Sequence, residues 1–470
     1  MKRFSAILSL LLSLPLLVQA ADRPNILFIA VDDLRPEIRS FGVSKMVTPN
    51  IDNLAERSVR FERSYCMVPT CGASRASLMS GIRPAPGRFM TYLSRADKDA
   101  PGRKTLNTHF KENGYHTVSL GKIFHNPGDN VHGWSEKPWR PGKEAVRYAN
   151  PENVLKAKNN PPKRRGPAYE SAVVSDDTYG DGILANQAVE TIDRLADSDD
   201  PFFLAVGFTK PHLPFIAPKR YWDLYDFDDI RLPDNYKVPE NAPKEAIHTF
   251  GELRAYHGIP KKGPLSDIEA RRLIHGYLAC VSYTDAHIGR LLKSLSDNGI
   301  NDNTIIVFWG DHGWNLGDHT LWCKHCCFES SMRAPLMFSA PTLEGFQKGA
   351  STQSFAEFID IYPTLCDLSG LSKPSHLQGL SQVPVLKNPS TSAKDFAIGR
   401  YRSGDTIRTD QFRFTTFTVE KGNKPTVMLY DHTRDPLENV NIAGEPQMKE
   451  TVKRLTRLLN EHKGRPFQKK

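Results

Sequence analysis

The chain has 470 residues, 39% of them hydrophobic, and its 62 lysines and arginines outnumber 53 aspartates and glutamates for a formal charge of +9. That length exceeds what one ordinary core holds, so a large domain with a smaller one beside it is expected. No nucleic-acid-binding motif accompanies the basic excess, so DNA and RNA are not expected as partners, whereas a basic surface suits an anionic substrate by electrostatic steering.

Residues 1–20 carry Lys2-Arg3, an apolar run over 7–18 and the small-residue exit Val18-Gln19-Ala20. This is the pattern of a secretory signal peptide. The run is too short to span a bilayer, and no later segment is long and apolar enough to do so. The mature chain is therefore expected to start near Ala21, without a transmembrane segment, and to be exported, either periplasmic or secreted.

Residues 25–31 are continuously apolar and read as a buried strand ending on Asp32-Asp33. A helix follows from Pro49 with Asn50 as its N-cap. Cys71-Gly72-Ala73-Ser74-Arg75 opens a helix-like stretch that runs to Gly81. Residues 105–114 form a helix closed by Gly114, and 115–120 a strand leading into Gly121-Lys122. Residues 128–176, rich in Pro, Lys, Arg and Asn, read as a long surface insertion. Helices over 181–196 and 268–295 alternate with strands over 202–208 and 304–309, the last ending in Gly310-Asp311-His312-Gly313. After Pro374 the composition shifts toward loops, with short strands at 411–419 and 426–430 and a terminal helix at 445–462. No internal repeat is evident. Strands alternating with helices predict an α/β sandwich around a large, mostly parallel sheet over 21–385, with a smaller C-terminal α+β subdomain over 386–470.

In such sheets function gathers where the strands end. Here those ends carry Asp32, Asp33 and Asp311, and three carboxylates brought together repel unless a cation lies between them. Oxygen-rich sites select hard ions such as Ca²⁺ or Mg²⁺. Taken singly, Asp32-Asp33 also reads as a helix cap, Asp311-His312-Gly313 as a turn, and Cys71 as a buried thiol at a helix start. Seven cysteines are present, and the six besides Cys71 would permit up to three bridges in an exported protein. The cluster Cys323-Lys324-His325-Cys326-Cys327 lacks a second ligand pair at finger-like spacing, which argues against zinc.

Cys71-Gly72-Ala73-Ser74-Arg75 resembles the maturation signature of type I sulfatases, with Ala73 where that family usually has proline. Asp32-Asp33, Thr48-Pro49-Asn50-Ile51-Asp52, Gly121-Lys122, Pro211-His212 and Gly310-Asp311-His312-Gly313 follow in that family's order along nearly the whole chain. Asp435-Pro436-Leu437-Glu438-Asn439 is similar to its C-terminal signature. Gly121-Lys122-Ile123-Phe124-His125 and Lys210-Pro211-His212-Leu213-Pro214-Phe215 resemble the iduronate-2-sulfatase branch and its bacterial relatives.

The resemblance implies an alkaline-phosphatase-like fold, oxidation of Cys71 to formylglycine by a formylglycine-generating maturase, and Ca²⁺. The ion would be held by Asp32, Asp33, Asp311 and His312 with the modified Cys71. Arg75 would steady the nucleophile, and Lys122 and Lys324 would grip sulfate oxygens as point charges. His125 would take a proton from the second hydroxyl to release sulfate, and His212 would protonate the departing sugar oxygen. The implied function is hydrolysis of sulfate esters of sulfated carbohydrate, 2-O-sulfated uronic acid among the candidates. Two other readings stand: a phosphodiesterase or phosphonate hydrolase on the same scaffold, and a catalytically silent glycan-binding protein. Specificity is expected from residues 128–176 and 220–262, where Trp134, Trp139, Arg140 and Arg147 read either as glycan contacts or as a solvated loop. His319 reads equally as a substrate contact or a core histidine.

Overall fold

The computed structural model describes residues 23–161, 165–418 and 424–463; the predicted signal peptide lies outside them. At the centre is a seven-stranded sheet. Its order is Ser351–Glu357, Val59–Tyr65, Leu336–Ser339, Thr304–Gly310, Asn25–Val31, Phe202–Phe208 and His116–Gly121. Only Leu336–Ser339 runs against its neighbours; the other pairings are parallel.

Asn25–Val31 lies inside the sheet because neither of its faces is polar. Leu27, Ile29 and Val31 enter one core, and Ile26, Phe28 and Ala30 enter the other. Side chains alternate between faces with a period of two, so such a strand needs a helical layer on each side. The helices Gly180–Ala196 and Asp267–Asp297 supply the first layer; Cys71–Ser80 and Ile361–Leu368 supply the second. Each large apolar side chain buried here contributes about 1.5–3 kcal/mol. Ser266 caps the long helix by accepting the amide of Glu269 at 3.3 Å.

Strand register sets the site. Val31 is level with both Phe208 and Gly310, so Asp32-Asp33 and Asp311-His312 emerge side by side. Gly121 is level with Gly207, which brings Lys122 to the same edge. The approach there is close: Gly121 has φ +71°, and a Cβ on Gly207 would sit 2.3 Å from the carbonyl oxygen of Lys122. Only glycine fits both positions.

Several sequence expectations need correction. The helix Pro49–Ala55 is preceded by Thr48 at the cap position, and Asn50 donates instead to Asp285 at 2.8 Å, pinning this short helix to the long one. Residues 128–176 are not all surface. Trp134 is buried against Phe203, Tyr148 is buried too, and Tyr169–Ala172 pairs in parallel with Phe215–Pro218. Single aromatics reach the core from a polar stretch, and average composition hides them. The bridges that six cysteines would permit do not form; all seven cysteines are free and buried. Among the described residues, no helix is long and apolar enough to cross a membrane.

The second unit is a four-stranded antiparallel sheet, Phe396–Tyr401, Gly404–Thr409, Phe412–Phe417 and Thr426–Asp431. The helix Lys449–His462 lays Leu455 and Leu459 onto Ile407, Phe414 and Leu429. The first two strands escape a sequence reading because Gly399, Arg400, Asp405 and Arg408 interrupt their apolar pattern.

A buried ion network ties the two sheets together. Glu357 accepts hydrogen bonds from Arg83, Lys394 and, at 3.0 Å, the amide of Ile398. Burial opposes its charge, but Arg83 and Lys394 bring its pKa down to about 2. A depressed folded pKa means that the stabilisation is present above the unfolded value and is lost as pH falls toward about 2. Glu357→Ala takes the carboxylate partner from the buried Arg83, while Lys394 keeps Asp360 at 2.6 Å, and is expected to cost about 3–5 kcal/mol, measured by urea unfolding.

Candidate active site

Cys71 is the first residue of the helix Cys71–Ser80, after an extended Thr70. The helix start lies under the loop that carries Tyr92: a Cβ on Gly72 would meet the Tyr92 carbonyl oxygen at 2.1 Å. Ser74 donates through Oγ to the backbone carbonyl of Asp311 at 2.5 Å, and Ala73 points into the apolar layer. The Arg75 Nε donates to Asp311 Oδ2 at 2.9 Å, and its Nη2 lies 3.3 Å from Asp32 Oδ1. The same guanidinium donates to the carbonyls of Lys122 and Ile123. The Ser-Arg pair thus clamps the helix to the ends of three strands.

The Cys71 thiol faces the acids, with Sγ 3.3 Å from His312 Nε2 and 3.8 Å from Asp33 Oδ1. The backbone N–H of Asp33 donates to Asp311 Oδ1 at 2.9 Å, with Asp33 in the left-handed region at φ 60°. His312 Nε2 lies 3.3 Å from Asp33 and 3.6 Å from Asp311, while its Nδ1 donates to the Gly313 carbonyl at 2.8 Å. Lys122 pairs with Asp32, and Lys324 holds both oxygens of Asp33 at 3.0 and 3.1 Å. His212 Nε2 is 3.7 Å from Asp33, and its Nδ1 donates to the Leu213 carbonyl at 2.6 Å.

Burial alone would raise the Asp32 carboxyl, but Lys122, His212 and Arg75 hold it well below the usual carboxylate range. Burial, and then Asp32, push the Cys71 thiol well above its ordinary value. His125 borders the same cluster, where burial and the Lys122 charge bring it down to about 3. Its imidazole is neutral and its buried Nδ1 has no partner among the described residues.

All ten predicted site residues converge on this edge of the sheet. Glu252 joins them without having been singled out in the sequence. Its Oε1 lies 3.2 Å from His212 Nε2 and its Oε2 3.1 Å from Lys324 Nζ. Nothing in Phe250-Gly251-Glu252 marks it; the only signal was its place in the loop-rich stretch 220–262.

Other candidates lie elsewhere. His319 is buried against Phe328, with ring centres 4.3 Å apart, and its backbone N–H donates to Asn235. Trp134 is core, and Trp139 forms a β-bridge with Leu120 and packs half-buried against the main core. Arg140 donates to the carbonyls of Phe124 and His125 and braces that loop. Arg147 lies over the Tyr148 ring at 6.0 Å. A further acid–imidazole group, Glu329, His432 and Glu438, is bridged by Arg413, which makes it a salt-bridged seam.

A cleft of about 510 Å³ opens beside Cys71, lined among others by Thr70, Tyr92, His248, Glu252 and His325. That size falls within the roughly 300–1,000 Å³ usual for small-molecule sites.

Comparison with known proteins identifies the class. Residues 24–371 match the model of the family described as sulfatase, and residues 317–465 match N-sulphoglucosamine sulphohydrolase, C-terminal. A sulfatase of Formosa agariphila is 32% identical over 450 residues, covering 93% of this chain and 86% of that one. Iduronate 2-sulfatase of Mus musculus is 34% identical over 393 residues, covering 76% of this chain and 70% of the relative. Among solved structures, a protein complexed with its substrate D-glucosamine-2-N,6-O-disulfate superposes with a TM-score of 0.75 at 23% identity, covering 93% of this chain and 97% of that one. The phosphonate monoester hydrolase of Agrobacterium radiobacter shares the fold equally, with a TM-score of 0.75, 23% identity and 94% and 96% coverage. The chain belongs to the sulfatase family and is a sulfuric ester hydrolase.

Proposed function

We propose that the protein is an exported enzyme that hydrolyses sulfate esters of sulfated carbohydrate, using a formylglycine derived from Cys71 and a calcium ion. The observation that carries this reading is the setting of Cys71: a helix-borne thiol 2% exposed, facing three carboxylates and ringed by Arg75, Lys122 and Lys324.

The donor set fits a hard divalent ion. Asp32, Asp33 and Asp311 offer oxygens, and His312, with its Nδ1 proton committed to Gly313, turns Nε2 toward them. Asp32, Asp33, Asp311 and Glu252 face three permanent cations, so a divalent ion together with a monoanionic sulfate ester brings the set to neutrality. A phosphate monoester dianion would leave it negative. When present, formylglycine supplies as its hydrate a nucleophilic oxygen and a second hydroxyl, and calcium neutralises charge at the sulfate.

The remaining work falls to the chain's own side chains. Lys122 and Lys324 hold sulfate oxygens, and Arg75 keeps the helix start aimed at them. Neutral His125 accepts a proton. His212 holds a proton for the sugar oxygen, which leaves poorly as an alkoxide. A maturase would act before the helix Cys71–Ser80 packs, because the folded thiol is enclosed.

The test is mass spectrometry of the peptide containing Cys71, alongside sulfate release from a panel of sulfated oligosaccharides. A plain thiol in protein from the native host, with no release, would support the silent glycan-binding reading; turnover of phosphonate or phosphodiester substrates alone would support the other hydrolase. Chelation of calcium is expected to remove activity and lower the melting temperature. Ligation contributes about 2.7 kcal/mol at a concentration a hundredfold above Kd. A melt with chelator, and again after calcium is restored, measures it.

A further inference from the structure

The cleft beside Cys71 has an uneven charge. Of the described residues that line it, Glu252 is the only carboxylate and Arg402 the only permanent cation. Glu252 is already held by Lys324 and His212. Arg402 makes no ion pair among the described residues, and its guanidinium rests over the Tyr401 ring at 5.5 Å.

Arg402 comes from the second unit, not from the main sheet. It occupies the tight turn between Phe396–Tyr401 and Gly404–Thr409, with φ 49°. A non-glycine residue in that region carries backbone strain, which the surrounding sheet must hold in place. Beside it, Tyr401 stacks on His325 with an interplanar angle of 27°, and His325 directly follows Lys324. Arg402, Tyr401, His325 and Glu252 line the same cleft, and Glu252 holds the buried Lys324 ammonium at 3.1 Å.

The rest of the cleft suits a sugar. Tyr92 meets the His125 ring edge-on at 5.8 Å and is more than half exposed. The amide of Phe250 donates to His248 Nδ1 at 2.9 Å, which places the proton of the neutral ring on Nε2. That N–H has no partner among the described residues. Aromatic faces with a few hydrogen-bond donors are the ordinary lining of such sites.

We propose that Arg402 is a specificity residue: it binds a second acidic group, a carboxylate or another sulfate, on the saccharide whose ester is cleaved. This rests on the sulfatase reading above and adds to it the kind of saccharide accepted. The second unit thereby completes the substrate site of the first.

The test uses the full-length matured enzyme, Arg402→Ala and Arg402→Lys. Substrates are an aryl sulfate, a disaccharide bearing a 2-O-sulfated uronic acid and a second sulfate, its carboxyl-reduced form, and its form lacking the second sulfate. Arg402→Ala is expected to raise KM on the full disaccharide roughly tenfold to a hundredfold, the worth of a charged hydrogen bond, with kcat little changed. Arg402→Lys should recover part of the loss. The aryl sulfate should be unaffected. Insensitivity of the carboxyl-reduced substrate to the mutation assigns the carboxylate; insensitivity of the mono-sulfated one assigns the second sulfate. An equal change on all substrates, or none on any, overturns the proposal. If wild type releases no sulfate, the functional reading fails by itself. Calorimetric titration of the full disaccharide into Cys71→Ala and Cys71→Ala/Arg402→Ala then decides the binding claim. Equal affinities there overturn it.

Discussion

Cys71→Ala is expected to abolish sulfate release while leaving the fold in place. The side chain is small and its neighbours are tied elsewhere: Ser74 and Arg75 hold the helix to Asp311, and Lys122 and Lys324 keep their carboxylate partners. Loss of one buried sulfur costs on the order of 1 kcal/mol. Loss of a nucleophile on which the other groups act costs far more, about 10⁴-fold or beyond in kcat. Cys71→Ser makes a sharper comparison. A single hydroxyl can attack sulfur and take on the sulfo group, but without a second hydroxyl it cannot expel it, so turnover stops after one event. Sulfate release and a thermal melt, run on the same preparations, check both variants. A Cys71→Ala protein with near-wild-type release would sink the nucleophile assignment.

His212→Ala is expected to harm sugar sulfates far more than aryl sulfates. Both ring nitrogens face oxygen acceptors, Leu213 at 2.6 Å through Nδ1 and Glu252 at 3.2 Å through Nε2, the arrangement of a proton donor. A nitrophenolate leaves well without a proton and a sugar alkoxide does not, so the loss should be about 10²–10⁴-fold on the sugar and small on the aryl ester. The measurement is the ratio of kcat/KM on the two substrates for wild type and variant. Equal losses would mean that His212 binds sulfate or orders the site. Glu252→Gln serves as a companion: it keeps the size of the side chain but removes the charge that His212 and Lys324 share, and its effect should follow the same substrate ratio.

Much of the fold was legible because period and punctuation carry it. The runs at 25–31, 202–208 and 304–309 are apolar on both faces, and only a central strand between two layers accommodates that. The candidate site was legible for a related reason: its acids stand immediately after those strands, where a parallel sheet collects them. The antiparallel strand Leu336–Ser339 and the strand pair Phe396–Tyr401 and Gly404–Thr409 were not legible. The first is four residues long, and the pair carries charge and glycine on positions a strand would make apolar.

What the sequence determined by itself is the identity and order of the chemical groups: a cysteine in its pentapeptide, acids at strand ends, and lysines and histidines in motifs that keep their order along the chain. Those are local properties, written in neighbouring residues. What only the tertiary structure decided is which distant residues share a space. Glu252 lies far along the chain from both Lys324 and His212 in motif terms, in a stretch without pattern, yet touches both. Trp134 sits in a polar segment and is core. Arg402 belongs to the second sheet and faces the cleft of the first. Loops have no period to read, because their conformation is set by the surface they cover rather than by their own alternation, and so their contribution to the site appears only once the strands that carry them are paired.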